Sequence, residues 1–281
     1  MQAVIIFTEL TLRLNNTNLL CIMTQLPESL FSRLPAPIIE NASGKGGVVL
    51  VCEHAGQILP ESLGELGLDA ETMSSHIAWD IGAAGLSQAL SKQLDAPLIL
   101  QRYSRLVFDC NRNFDAPDAI VEKSDGMTVP LNKNLSVADR QRRFDQVYLP
   151  FHTAIDGIID DCLRRGQQPT IISIHSFTPV FMGQQRILEL GVIHDFDARF
   201  ADRIISLAEQ SGMIGVARNE PYAPRDGITH TLNRHGIDRK LLNVMFEVRN
   251  DLIADPSGQE QWAKRLSGMI SAANNTESGT Q

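Results

Sequence analysis

The chain has 281 residues, 43% of them hydrophobic and 21% charged, which supplies a sizeable core and excludes a disordered or fibrous protein. Its net charge of −8 argues against nucleic acid or an anionic membrane as partner, since both are held by basic surfaces, and favours small-molecule chemistry. Cys21, Cys52, Cys110 and Cys162 form no CxxC pair and three sit in apolar runs, which fits a reduced cytoplasmic protein without disulfides or a cysteine nucleophile.

Residues 1–45 lack a clean period and close on the loop-like run ENASGKGG, so they read as an N-terminal arm, with Met23 as an alternative start. Glu9 and Arg13 interrupt the apolar pieces AVIIF and LLCIM, which argues against an export signal, and no stretch reaches the roughly 18 apolar residues of a membrane helix. A single catalytic domain is expected over 46–272, then a polar tail over 273–281. Strands are expected at Val48–Cys52, Pro97–Gln101, Leu106–Cys110, Thr170–His175, Ile187–His194, Met213–Ala217 and Leu241–Val248, all rich in Val, Ile and Leu without strict alternation, as in strands covered on both faces.

Helices separate many of these runs. A pattern opening at Ser136 meets Pro150, which implies a kink or two helices, and the stripe Phe151, Ile155, Ile158, Ile159 and Cys162 then continues to a stop near Gly166. Phe200, Ile204, Leu207 and Ala208 form a second stripe after Asp197. Trp262, Leu266, Met269 and Ile270 form a third after a Ser257 cap. This alternation predicts an α/β fold: a three-layer α/β/α sandwich around a mixed, mostly parallel sheet, of the phosphorylase/hydrolase-like kind.

In such sheets ligands bind beyond the carboxyl ends of the strands. His54 stands there after the first core strand in VVLVCEHAGQILP, His175 after TIISI, and Glu247 near the end of LLNVMFEV. Singly, each has an ordinary structural role. Together, two histidines and a carboxylate are the ligand set of a catalytic zinc, and a further carboxylate can act as general base. The stretch SSHIAWDIGA offers Asp80 at a helix start and His76 four residues earlier as competing middle ligands.

A second cluster, RYSRLVFDCNR, places Arg102, Arg105 and Arg112 by one apolar run, with Asn111 before Arg112. Guanidiniums grip carboxylates through paired hydrogen bonds, so an anionic substrate is one reading and surface pairing to Asp109 or Asp115 the other. The polar loop NEPYAPRDGITHTLNRHG is either a functional lid or a surface excursion. Among the other histidines, His152 is expected to face solvent, His194 more often to be structural than to line the pocket, and His230 and His235 to touch substrate at most.

The motifs CEHAG with its following proline, AWDIGA, SRLVFDCNR, SIHSFTP and FEVRNDLI, in that order from about Val48 to about Ala272, resemble the N-formylglutamate amidohydrolase family, whose fold is related to zinc carboxypeptidases and aspartoacylases. The resemblance implies a zinc-dependent hydrolase of an N-acyl amino acid, with N-formyl-L-glutamate or a similar acidic compound foremost. It implies His54, Asp80 and His175 as ligands of one Zn²⁺ ion, Glu247 as general base, and Arg105, Asn111 and Arg112 as holders of the substrate carboxylate. Zinc carboxypeptidases read HxxE at the first ligand, whereas Gln57 stands at that last position here, so the carboxylate ligand comes from elsewhere and Asp80 or His76 remains open. Alternatives are hydrolysis of another N-acyl amino acid or a small peptide, and an inactive carboxylate-binding relative. The expected partner is a small anionic molecule, and the sequence sets no oligomeric state.

Overall fold

Short runs of β-branched and aliphatic residues stack as strands because their side chains are covered on both faces, and amphipathic helices supply the cover. The computed structural model describes residues 34–275. Met23, Cys21 and the end of the polar tail lie outside the described residues. In chain order come β1 (Ile38–Glu40), β2 (Val48–Cys52), α1 (Ala70–Ser74), α2 (Ala83–Leu94) and β3 (Leu98–Leu100). A small hairpin follows, β4 (Lys123–Ser124) with β5 (Met127–Thr128), and then α3 (Val137–Arg143). A π-helical turn at Phe144–Tyr148 joins α3 to α4 (Leu149–Arg164), so the break expected around Pro150 is a widened turn just ahead of it. Next come β6 (Thr170–Phe177), a hairpin of β7 (Val180–Phe181) and β8 (Gln184–Gln185), and β9 (Leu190–Ile193). The chain continues through α5 (Arg199–Gln210), β10 (Val216–Arg218), β11 (Asn243–Arg249) and α6 (Pro256–Asn275).

The main sheet has seven strands in the order β1-β3-β2-β6-β11-β9-β10. Strands β3, β2, β6 and β11 run parallel, β9 lies antiparallel to β11, and β10 is parallel to β9. The sheet is therefore mixed and mostly parallel, as expected. β1 pairs antiparallel with β3, so part of the stretch that composition assigns to the arm is the sheet's edge strand.

Alternation divides the side chains between two layers. Leu50 and Cys52 of β2, Ile172 and Ile174 of β6, and Val244, Phe246 and Val248 of β11 join one core with Leu86 and Leu90 of α2, Phe200 and Ile204 of α5, and Trp262 and Leu266 of α6. The opposite face carries Ser173, His175 and Glu247, and α4 packs on that side against β2 and β3. Helix α6 starts two residues earlier than its Ser257 cap implied: Asp255 accepts from the Gly258 N–H at 2.9 Å and Pro256 opens the helix.

Two expectations are corrected. Leu106–Cys110 forms no strand. Its hydrogen bonds are turn-like, Val107 to Ser104 and Arg112 to Asp109, with Asp109 N–H donating to the Ala119 carbonyl. Leu106, Val107, Phe108 and Cys110 are nevertheless buried, and a short buried loop has the same apolar signature as a buried strand. His152 does not face solvent. It flanks the buried stripe of α4, and both ring nitrogens are engaged, Nδ1 with His235 Nε2 at 2.7 Å and Nε2 with the Cys110 carbonyl at 2.9 Å. Cys52, Cys110 and Cys162 are free and buried, and burial pushes each thiol up, which leaves them unreactive. Among the described residues no helix is long and apolar enough to cross a membrane.

Candidate metal centre and active site

β2 ends at Cys52, and two residues on, His54 lines a cavity of about 330 Å³, while the Glu53 carboxylate is buried against Ser173 and His175. The turn after them requires Gly56, because a Cβ there would lie 2.0 Å from the Arg102 carbonyl oxygen. The His54 carbonyl accepts from the Asp80 N–H at 2.9 Å, which ties the segment ahead of α2 to the end of β2. His175 reaches the same point from β6. Its register partner on β11 is Glu247, so both side chains stand side by side on one face of the sheet.

Buried atoms of His54, Asp80 and His175 lie within 4.8 Å of one another. Asp80 Oδ2 sits 3.4 Å from His54 Nδ1 and 2.7 Å from His175 Nδ1. The outer nitrogens face two further carboxylates: His54 Nε2 meets Asp109 Oδ1 at 2.7 Å, and His175 Nε2 lies 3.2 Å from Glu53 Oε2. Glu53 is held in turn by the Ser173 hydroxyl, which donates to its Oε2 at 2.8 Å. A carboxylate behind each imidazole is the usual device for presenting the inner nitrogen to a metal.

The donor set suits a divalent ion such as zinc. Two imidazole nitrogens and a carboxylate oxygen converge, and His54 Nδ1 is buried without any hydrogen-bond partner, a costly state that a metal ligand relieves. Between the candidates for the middle ligand the structure brings in Asp80. His76 stands at the cavity wall, with Nε2 3.3 Å from Asp125 Oδ2.

Charges in this centre shift one another. Burial alone would raise Asp80, but the His54 and His175 imidazoles hold it far below the usual carboxylate range. Burial likewise opposes the drop in Glu53, which His175 carries to about 2. Burial would lower His175, yet Glu53 and Asp80 push it well up. Glu247 goes the other way: burial, with the Asp80 charge added, raises it to about 7, and its Oε2 has no hydrogen-bond partner. A carboxylate poised near neutrality beside a candidate metal site has the properties of a general base.

The arginine cluster is divided by the fold. Arg105 is locked, Nη1 to Asp80 Oδ1 at 3.1 Å and Nη2 to Asp109 Oδ2 at 3.2 Å. Asn111 lies at the cavity wall, but its amide is committed to the polar loop: Nδ2 donates to the Ile228 carbonyl at 2.5 Å, and Oδ1 accepts from Thr231 N–H at 3.1 Å. Arg112 pairs through Nε with Asp118 at 2.7 Å and donates from Nη1 to the carbonyls of Asn111 and Gly227. Arg102 donates to the Ala36 carbonyl away from the cavity. The polar loop is thus a wall of the site, contributing Tyr222, Asp226 and Ile228. His230 and His235 turn elsewhere, His230 Nε2 meeting Tyr148 Oη of the π-helical turn at 2.6 Å and His235 Nε2 meeting His152 of α4. His194 does not reach the cavity; its Nδ1 bonds the Asp195 carbonyl.

Glu53 and Asp109 were missed as site residues by sequence reasoning. A signal existed for both: a carboxylate adjoining a strand-end histidine, and an acid inside the apolar run LVFDC.

Residues 46–254 match the model of the N-formylglutamate amidohydrolase family. A solved structure of a gene product from Agrobacterium tumefaciens is 43% identical, with a TM-score of 0.85, over 87% of this chain and 97% of that one. N-formylglutamate amidohydrolase from Ralstonia eutropha is 18% identical with a TM-score of 0.62, over 88% of this chain and 100% of that one, a likeness of fold. No curated protein sequence matches the chain.

Proposed function

Since the chain belongs to the N-formylglutamate amidohydrolase family, we propose that it is a zinc-dependent enzyme that hydrolyses the amide bond of an N-acyl amino acid. Membership makes it an amidohydrolase; the metal and the substrate are the proposal. The observation that carries it is the convergence of His54, Asp80 and His175 beside Glu247 at one cavity. A zinc ion held by those three residues would supply a Lewis acid that activates water near neutral pH and polarises the acyl carbonyl. Asp109 and Glu53 keep the inner nitrogens of His54 and His175 turned to that point. Glu247 takes the proton of the attacking water and returns it to the nitrogen as the C–N bond breaks, releasing the acid and the free amino acid. Arg112 fixes the substrate α-carboxylate. Arg105 adds positive charge from behind Asp80 and Asp109, and Asn111 holds the loop that closes the wall.

N-formyl-L-glutamate is the reference substrate, and N-acetyl amino acids and dipeptides separate the aspartoacylase-like and carboxypeptidase-like alternatives, because room around the acyl group decides between them. Release of the free amine should vanish with a chelator, return with zinc, and fall roughly 10²- to 10⁴-fold in Glu247→Gln. Hydrolysis that survives both treatments overturns the proposal, and tight binding of an N-acyl amino acid without turnover in zinc supports the inactive relative instead.

A further inference from the structure

We infer that His152 is a positioning residue for the centre: a doubly protonated His235 fixes its tautomer, and through the Cys110 carbonyl it holds Asp109 behind His54. The effect on catalysis rests on the hydrolase reading above, whereas the protonation pattern stands apart from it. The ground is a buried chain of hydrogen bonds. Asp156 Oδ1 lies 3.1 Å from His235 Nδ1, His235 Nε2 lies 2.7 Å from His152 Nδ1, and His152 Nε2 lies 2.9 Å from the Cys110 carbonyl oxygen. Both ends of this chain accept. One is a carbonyl, and the other is a carboxylate that also meets Arg239 Nη1 at 3.0 Å and Arg234 Nη2 at 3.4 Å. Burial opposes the ionisation of Asp156, but His235 and the arginines carry it down to about 2. Three hydrogen bonds between two accepting ends need three N–H protons, whereas two neutral imidazoles carry two. One ring is therefore an imidazolium. His235 is that ring, because it faces the carboxylate, while burial and then the His235 charge hold His152 well below the ordinary imidazole range. His152 thus accepts at Nδ1 and donates from Nε2. The other groups around the pair are engaged elsewhere. Arg239 also bonds Asp160, Arg234 reaches Tyr148 Oη at 3.4 Å, and His230, lowered by burial to about 4, takes the Tyr148 hydroxyl. From the cavity side Asp109 and Glu53 act on His230.

The Cys110 carbonyl lies between two residues of the site. Asp109 Oδ1 faces His54 Nε2 at 2.7 Å and accepts the Asn111 N–H at 2.9 Å, while the Asn111 amide ties down the polar loop at Ile228 and Thr231. Because Leu106–Cys110 is a loop, its orientation depends on individual bonds, and His152 fastens it to a helix. Loss of the His235 proton leaves two protons for three bonds, so a bare nitrogen faces Asp156, the other ring or the carbonyl. The carbonyl is then freed and Asp109 loosens behind His54.

Histidine ¹⁵N NMR of the chelator-stripped full chain reads the protonation. Near neutral pH, His235 should show two protonated nitrogens, and His152 a protonated Nε2 with a bare Nδ1. The zinc-loaded chain is then assayed with N-formyl-L-glutamate. His152→Phe keeps an aromatic ring beside Tyr148 and His235 but has no donor. It should lower kcat and weaken zinc about tenfold each, with KM within about twofold, and His152→Gln, whose amide both accepts and donates, should recover most of that loss. The parent's kcat should fall on the alkaline side at the pH where His235 loses its proton. Asp156→Asn, at a side chain 37% exposed, removes the anion that holds that proton and serves even if the buried variants do not fold. It should move both the His235 titration and the alkaline fall to lower pH by about one unit, which a merely structural role would not do. Two neutral rings near neutral pH, parent-like kcat and zinc affinity in His152→Phe, or an alkaline fall unmoved in Asp156→Asn overturns the inference. A parent that binds zinc but turns over no N-acyl amino acid defeats the hydrolase reading alone, since the variants' zinc affinities still decide the positioning. A parent that binds no zinc overturns both.

Discussion

Asp80 gathers more interactions than any other side chain at the centre: Oδ2 faces both imidazoles and accepts the Ser176 N–H at 3.2 Å, while Oδ1 takes Arg105. Glu247 is its opposite, buried and left with an unmet oxygen. That contrast has a stability consequence. The folded-state pKa of Glu247 lies near 7, above the ordinary 4.5, so the folded chain holds the proton more tightly than the unfolded one. Ionising it therefore costs stability progressively as pH rises through that interval, and the full cost is present above about 7. In chelator-treated protein, Glu247→Gln should melt higher than the parent at pH 8.5, by roughly 2 to 4 °C per kcal/mol relieved, and the gap should narrow at pH 5. Thermal denaturation at the two pH values measures it, and an equal gap at both refutes the assignment of the strain to this carboxylate. His54, His175 and Glu247 were legible in the sequence because each interrupts or ends an apolar strand. Asp80 was legible only as one of two candidates, since the choice against His76 depends on the hydrogen bond that draws the Asp80 backbone to His54. Glu53 and Asp109 carried a local signal, but their pairing with His175 and His54 was not legible, because those partners lie far away in sequence and meet only in the folded chain.

At the scale of elements, apolar runs found the strands, and hydrogen-bond partners trimmed them. β9 starts at Leu190 rather than Ile187, which is almost fully exposed, and β11 extends to Arg249 because β6 continues beside it to Phe177. β1 escaped notice, being three residues long and partly exposed, and it is held by its pairing to β3. Leu106–Cys110 erred in the other direction. Burial was read correctly there, but no neighbouring strand offers its backbone a ladder. Backbone room differs as sharply between two glycines, and this gives a paired prediction. Gly56→Ala puts a Cβ against the Arg102 carbonyl and should cost roughly 1–3 kcal/mol, whereas Gly157→Ala, in an exposed position of α4 with nothing within 4 Å, should gain about 0.5–1 kcal/mol. Urea unfolding of both variants checks the signs, and a neutral Gly56→Ala would mean that the His54 turn is not held against the Gln101–Arg102 segment that follows β3.

For the whole molecule, the parallel strands β2, β6 and β11 end on one edge, whereas β9 and β10 run opposite to β11, so the polar loop after β10 leaves from the other edge and returns to line the cavity with Tyr222, Asp226 and Ile228. The sandwich and the strand-end placement of the site were therefore readable from strand–helix alternation. The antiparallel β9 was not, because a strand's direction depends on the path of its connections rather than on its composition. Every functional statement rests on one cation joining β2, β6 and the segment before α2. A calorimetric zinc titration of the chelator-stripped full chain tests that most directly. The account predicts one tightly bound zinc per chain, affinity that rises with pH because the raised His175 must lose its proton to become a ligand, and loss of that tight binding in His54→Ala, Asp80→Ala and His175→Ala but not in His76→Ala. No tight zinc binding by the parent, or binding indifferent to those three substitutions, would contradict it.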